Sequence, residues 1–399
     1  MPGYELWGEE EKKHLNDIIE SGILMRYNFE SVRNNHWKAR EFEQAIQKRM
    51  HVKHVQLTSS GTTALLTALN SAGVGAGDEV ILPTFTFVAS FEAVLSAGAI
   101  PILVDIDETL TMDPKAVEKA ISPRTKIIMP VHMCGAMADI SALKELAEKY
   151  NLLLIEDACQ SFGGTYRGKY LGTIGDLGCF SFDFVKTVTC GEGAAVLTNK
   201  EEYYVNADQY TDHGHDHLGN NRGAENHPYL GLNYRISELH AAVGLAQFEK
   251  LDKILSIQRK NKKVLKDALK EVDGVNFRML PDEAGDNASF LSIFLPNKDL
   301  AKEVSLELSS KGIGNAYWYD NNWHYIRKWD HLKLLRTLAP LYKEHKELLP
   351  NYANADFSQS DVIISKTVTI PISLLWTDEE LAKKSEIIKS IVSNVLAKK

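Results

Sequence analysis

The sequence predicts an α/β protein: a mostly parallel sheet covered by helices on both faces, followed by a smaller α+β unit. Three observations carry this. Short apolar strands alternate with helical patterns from about Val55 onward. Several of those strands are apolar throughout, as strands buried on both faces must be. The 399 residues, 44% of them hydrophobic, suffice for two or three domains with substantial cores.

In chain order, EEEKKHLNDIIE at 9–20 reads as a short amphipathic helix, and 25–40 as an arm or loop dense in Arg, Asn and aromatics without periodicity. HVQLTSS (54–60) is then a strand followed by a helix from Gly61, and EVILP (79–83) a strand followed by a helix through 89–97. IPILVD (100–105), KIIMPV (126–131), LLLIED (152–157), LGCFSF (177–182) and AAVL (194–197) continue the strands. The proline-free run from Ser237 to Leu269 is one long helix or two, and FLSIFLP and TVTIPI supply strands of the second unit. The expected division is an N-terminal helix and arm at 1–40, a large domain at 41–250 and a small C-terminal domain at 251–399.

Composition narrows the function. With 45 Lys+Arg against 53 Asp+Glu, the net charge of −8 argues against a nucleic-acid partner, so any anionic ligand needs local positive potential. Four cysteines without a C-x-x-C pair fit neither a zinc module nor a disulfide framework. The acidic N-terminal run and the lack of an apolar stretch near roughly 18 residues argue against a signal peptide or membrane helix, and place the chain in the cytoplasm.

Three constellations bear chemistry. Ser59-Ser60-Gly61-Thr62-Thr63 lies between a strand and a helix, where free N–H groups, hydroxyls and the helix dipole suit a phosphate. An ordinary N-cap explains the same residues. Glu156 and Asp157 close an apolar strand, where Asp157 meets a ligand or simply caps a helix. Lys186 sits between an aromatic-rich strand and a glycine turn, as a surface residue or as an amine able to form a Schiff base. Taken together, amine, carboxylate and anion cradle match what pyridoxal phosphate requires, and an aromatic of TFTF (84–87) can stack on its ring.

The motifs SSGTTAL, GAGDEVILPTFTFVAS, IEDACQSFGG, GDLGCFSFDFVKTVTCGEGAAVLT and GLNYRISELHAAVGLAQ, in this order, resemble those of the DegT/DnrJ/EryC1/StrS sugar aminotransferases. The resemblance spans nearly the whole chain and implies the fold-type I aminotransferase architecture. It implies that Lys186 carries pyridoxal 5'-phosphate as a Schiff base and acts as the catalytic residue, and that Asp157 pairs with the ring nitrogen. Gln160 would lie near the ring hydroxyl, Phe87 on the ring face, and Ser60, Gly61, Thr62 and Ser181 at the phosphate. Asn233 would reach the phosphate of a neighbouring subunit, which implies a homodimer with shared active sites. Lys186, where some members of the group carry a histidine, favours amino transfer over dehydration.

Other segments, MPGYELWG, MRYNFE, VHMCG, the loop at 212–228 and YWYDNNWHY at 317–325, resemble those group members that aminate a free keto-sugar acid with L-glutamate as donor. Candidate substrate contacts are Arg26, Arg222 and Arg235 for carboxylates, His213 and His215 as donors, and Trp318 and Tyr319 for the sugar face. Each has a structural alternative, as a surface salt bridge or as core packing. His213, His215 and His217 with Asp212 and Asp216 invite a metal, yet a donor-rich sugar loop has the same composition, and no metal is expected. GGTYRGK (163–169) lacks the Ser/Thr of a phosphate-binding loop. A nucleotide-linked keto-sugar is the alternative acceptor, and a cofactor-binding sensor the non-enzymatic alternative.

Overall fold

A computed structural model describes residues 3–219 and 221–398. Residues 1, 2, 220 and 399, which include the start of MPGYELWG and one position of the loop at 212–228, lie outside the described residues.

The strands of the first half are β1 (His54–Thr58), β2 (Glu79–Pro83), β3 (Ile100–Val104), β4 (Thr125–Ile128), β5 (Leu153–Asp157), a small hairpin β6 (Thr165–Tyr166) and β7 (Lys169–Tyr170), β8 (Leu177–Ser181) and β9 (Ala194–Thr198). Seven of them form one sheet in the order β1-β9-β8-β5-β4-β2-β3. β9 runs antiparallel to both its neighbours, while the pairs β2–β3, β2–β4, β4–β5 and β5–β8 are parallel. The carboxyl ends of β1, β2, β5 and β8 therefore share one edge, which is where ligands of such sheets bind.

Local chemistry explains the elements. The strands β2 and β8 are buried at every position, so apart from Glu79, which pairs with Arg124, their residues are apolar or small without alternation. Several helices begin on polar caps. Asp113 caps Pro114–Ala120 with proline at its first turn, Asp139 caps Ile140–Tyr150, and Ser237 caps Glu238–Glu249. Asn151 closes the Ile140–Tyr150 helix in the left-handed conformation. The run from Ser237 divides into two helices, Glu238–Glu249 and Leu251–Leu269.

The second sheet holds β10 (Asn276–Phe277), β11 (Phe290–Phe294), β12 (Ala316–Tyr317) and β13 (Thr367–Pro371), in the antiparallel order β10-β11-β13-β12. Its core joins Leu291, Ile293 and Val368 to Leu265, Val304 and Ile388 of the flanking helices. The segment between β12 and β13 does not belong to that core alone. Trp318, Tyr325, Trp329 and Tyr352 pack instead with Phe85 and Phe91 of the first sheet's core. Among the described residues no helix is long and apolar enough to cross a membrane.

The arm at 25–40 is folded around the buried guanidinium of Arg33. Arg33 donates to the Tyr27 carbonyl at 3.0 Å and to that of Met25, and its guanidinium lies 3.8 Å over the Trp37 ring. Lys38–Met50 is a helix whose Phe42 and Ile46 pack against the first sheet's other face, an element absent from the expected list.

Candidate active site

The loop after β1 opens the Gly61–Ser71 helix. Ser60 Oγ accepts from Thr63 N–H at 3.2 Å while Ser60 N–H donates to Thr63 Oγ1 at 2.9 Å, a reciprocal cap that leaves the N–H groups of Gly61 and Thr62 without acceptors among the described residues. Gly61 has a steric reason: a Cβ there would lie 2.9 Å from Ser181 Cβ and 3.6 Å from Cys159 Sγ. The helix end, the end of β8 and the residues after β5 are thus in mutual contact.

Asp157, buried at the end of β5, is held from two sides. Ser90 Oγ donates to its Oδ2 at 2.7 Å and Cys159 N–H to its Oδ1 at 3.2 Å. The hydroxyl of Thr86 lies 2.6 Å from Ser90 Oγ, so the chain Thr86–Ser90–Asp157 aims the carboxylate. Its neighbour Glu156 serves the scaffold instead. It accepts from the N–H groups of Gly172, Ile174 and Gly175 at 2.9, 2.6 and 2.7 Å and pairs with buried His132 at 2.9 Å. Strand alternation sends the two carboxylates to opposite faces. Gln160 Oε1 accepts from Cys134 N–H at 3.0 Å.

Lys186 follows β8 and is half-buried. Its loop is tied back by Lys186 N–H to the Asp183 carbonyl at 2.9 Å and by Asp183 N–H to Ser181 Oγ at 3.3 Å. Phe87 starts the Val88–Ser96 helix, 39% exposed, with its ring 5.4 Å from that of His324. His324 arrives with YWYDNNWHY because Thr86 N–H donates to the His324 carbonyl at 3.0 Å and Val88 N–H to that of Trp323 at 2.8 Å. Burial, helped by the nearby Lys186 charge, drops the His324 pKa to about 4, so its imidazole is neutral near pH 7. Burial likewise pushes the Cys159 thiol well above its ordinary range.

These residues fit pyridoxal phosphate. Bare backbone N–H groups at a helix N-terminus, with Ser181 alongside, form an anion cradle. Asp157 is aimed by two donors at the sheet edge, and the Lys186 charge acts on both Cys159, beside Asp157, and His324, whose ring lies against Phe87.

Residues 7–389 match the DegT/DnrJ/EryC1/StrS aminotransferase family.
The chain belongs to that family.
Its members depend on pyridoxal phosphate. The chain is 42% identical over 221 residues to GDP-perosamine synthase of Caulobacter vibrioides, covering 55% of this chain and 58% of that protein. It is 40% identical over 237 residues to L-glutamine:2-deoxy-scyllo-inosose aminotransferase of Micromonospora echinospora, covering 58% and 56%. It thus spans less than two thirds of the length of these curated relatives. Among solved structures, 3-amino-5-hydroxybenzoic acid synthase superposes with a TM-score of 0.79 at 28% identity over 97% of both chains. DesV of S. venezuelae, in complex with a ketimine intermediate, gives 0.79 at 26% identity over 96% and 94%.

The expected substrate contacts fare differently. Arg26 is buried and spent internally, donating to Glu43 Oε1 at 2.8 Å and to the Leu57 carbonyl at 3.1 Å. Arg222, at 2.5 Å, and Arg235 both donate to Asp212 Oδ1, and His217 bridges Asp212 at 2.9 Å and Asp208 at 2.6 Å. Asp212, fully buried, is the hub of this network. His217, Arg222 and Arg235 overcome its burial and hold its carboxyl far below the usual range. His215 pairs with Glu225 at 2.8 Å, and the exposed His213 offers its carbonyl to His227 Nδ1 at 2.8 Å. Within this chain the three arginines expected at a substrate carboxylate each already face a carboxylate, and His215, expected as a donor, lies against Glu225.

Trp318 is likewise a core residue, 6% exposed, its Nε1–H donating to Thr369 Oγ1 at 2.8 Å. Tyr319 packs between Tyr317 and Tyr325, with the Lys298 ammonium 4.5 Å over its ring. Asn233 is exposed, bridged through its backbone to Asp212. Among the described residues no group of three His, Cys, Asp or Glu is placed to hold a metal ion. Sequence reasoning missed Ser90, Thr86 and His324. A hydroxyl at the start of the helix after TFTF was the available signal for Ser90, whereas nothing local announces His324.

Proposed function

We propose that this chain is a pyridoxal phosphate-dependent aminotransferase that carries an amino group from L-glutamate to a keto-sugar, releasing 2-oxoglutarate. The observation that carries the reading is the convergence of Lys186, Asp157 and the Gly61–Ser71 helix start at one sheet edge, each held by its own hydrogen bonds.

Bound pyridoxal phosphate supplies an electron-withdrawing ring that stabilises negative charge at the donor's α-carbon. Lys186 Nζ would hold the cofactor and would serve as the base that takes the proton from that carbon. Asp157 holds a proton on the ring nitrogen, and Ser90 keeps its carboxylate turned there. Phe87 covers the ring face, with neutral His324 beside it. The N–H groups of Gly61 and Thr62, with Ser60 and Ser181, bind the phosphate, and Gln160 Nε2 serves the ring hydroxyl. Exposed Asn233 fits a role at the phosphate of a second copy, making a homodimer the working unit.

For the acceptor we favour the C8 aldehyde of 8-oxo-3,8-dideoxy-manno-octulosonate, giving 8-amino-3,8-dideoxy-manno-octulosonate for lipopolysaccharide. The support is the segments outside the cofactor motifs, of which YWYDNNWHY borders the site through His324. The kinship with GDP-perosamine synthase favours a second reading, a nucleotide-linked keto-sugar. Parallel assays with the two acceptors, each with glutamate and with glutamine, separate them: turnover confined to the nucleotide-linked sugar rejects the sugar acid. Lys186→Ala is expected to abolish both turnover and the visible absorbance of lysine-bound cofactor. Amino transfer persisting in that variant would sink the assignment.

A further inference from the structure

The loop that bears Lys186 is not fixed by the sheet alone. Phe184 and Val185, just before the lysine, are half exposed, and the loop's internal ties end at Asp183. What holds the lysine's own carbonyl comes from the far N-terminal part of the chain: Gly3 N–H donates to the Lys186 carbonyl at 3.0 Å. Tyr4, next in sequence, stacks on the Phe184 ring at 4.5 Å and 13°. Glu5 accepts from Ser373 Oγ at 2.9 Å and from Leu374 N–H at 2.6 Å, just past β13 of the second sheet. The Leu6 carbonyl accepts from Lys250 Nζ at 2.6 Å, at the junction of the two long helices.

Four consecutive residues thus join the lysine loop, the second sheet and the helix junction. There is no slack at the first of them, because a Cβ on Gly3 would lie 2.5 Å from the Thr187 carbonyl oxygen and 3.0 Å from that of Lys186, both rigid backbone atoms. Tyr4 and Glu5 also wall a cleft of about 230 Å³ with Val185, Pro371 and Trp376.

We propose that the Gly3–Leu6 turn is a positioning strap for Lys186: it sets where the lysine's backbone sits relative to the sheet edge and couples that position to the small domain. The strap's hydrogen bonds and ring contacts reach the Lys186 carbonyl, Phe184, Ser373, Leu374 and Lys250 rather than Lys186 Nζ or Asp157, so its effect passes through the Lys186 backbone. This rests on Lys186 being the cofactor's anchor.

The test uses the full-length holoenzyme. Gly3→Ala has no room without moving the loop, and Tyr4→Ala removes the stack. Both variants are expected to keep a borohydride-reducible Schiff base. Its apparent pKa, read by titrating the visible band, shifts from wild type, and kcat falls by about tenfold or more with KM for the amino donor nearly unchanged, since ångström-scale misplacement costs up to about a hundredfold. Tyr4→Phe keeps the stack and restores wild-type behaviour. If the visible band of Gly3→Ala and of Tyr4→Ala titrates as in wild type and kcat is unmoved, the strap is refuted. Should Gly3→Ala fail to fold, the Tyr4→Ala and Tyr4→Phe pair decides alone. A visible band that survives in Lys186→Ala refutes the anchor assignment instead, a different result from an unmoved band in the strap variants.

Discussion

Ser90→Ala isolates the aiming of Asp157. The hydroxyl donates to Oδ2 at 2.7 Å, and both residues are buried, so water does not readily replace the lost donor. A hydrogen bond to a charged group is worth about 1.5–3 kcal/mol. Since Asp157 keeps its other bond, from Cys159 N–H at 3.2 Å, the carboxylate stays in place but loses one of its two constraints. If that loss falls on the transition state, kcat/KM drops by about 10- to 150-fold. Steady-state kinetics with glutamate, together with cofactor affinity from the visible band, measure it. Thr86→Val removes only the bond behind Ser90, 2.6 Å away, and should cost less. A Ser90→Ala enzyme within twofold of wild type, at equal cofactor occupancy, refutes the claim that Ser90 aims the carboxylate.

Gly61→Ala brings a Cβ to 2.9 Å from Ser181 Cβ, so the helix start must shift. The cofactor's dissociation constant should rise by about tenfold or more if a phosphate hydrogen bond is weakened by more than about 1.4 kcal/mol, and unchanged affinity by equilibrium dialysis would remove the phosphate from this helix. His217 gives a pH signature. Burial opposes its charge, but the hydrogen bonds to Asp208 and Asp212 prevail and raise its pKa to about 9. A raised folded-state pKa means the stabilisation is complete below about 6.5 and lost as pH climbs through about 9, an effect of roughly 3 kcal/mol for this shift. The thermal midpoint of His217→Gln should therefore lie below wild type at pH 6 and approach it by pH 9.5; a constant gap across that window contradicts the network.

The candidate site was legible because its parts are local. A hydroxyl–glycine turn, a carboxylate ending an apolar strand and a lysine after an aromatic strand each stand within a few residues of a strand's carboxyl end. The parallel order of β2, β4, β5 and β8 then brings those ends together. Glu156 and Asp157 show where local reading stops: the sequence presents two adjacent carboxylates, and only the packing of His132 and the Gly172–Gly175 backbone assigns one of them to the scaffold. The arm at 25–40 shows no period because it is organised around buried guanidinium groups, Arg33 above all, rather than by a repeating face.

The cations mark the same boundary. Arg26, Arg222 and Arg235 have the right chemistry for a substrate carboxylate, and a sequence cannot tell a free cation from one already paired. Pairing here depends on contacts such as Arg26 with Glu43, 17 residues apart, and Arg235 with Asp212, 23 apart. His324 reaches Phe87 over more than 200 residues, and Gly3 reaches Lys186 over a similar span. By itself, the sequence determined the sheet class, the cofactor chemistry and the three local motifs proposed to serve it, because strand periodicity and strand-end residues are short-range properties. Only the tertiary structure decided which charges are spent, which hydroxyl aims Asp157 and what holds Lys186 in place, because those depend on hydrogen bonds between segments that meet only when the chain is folded.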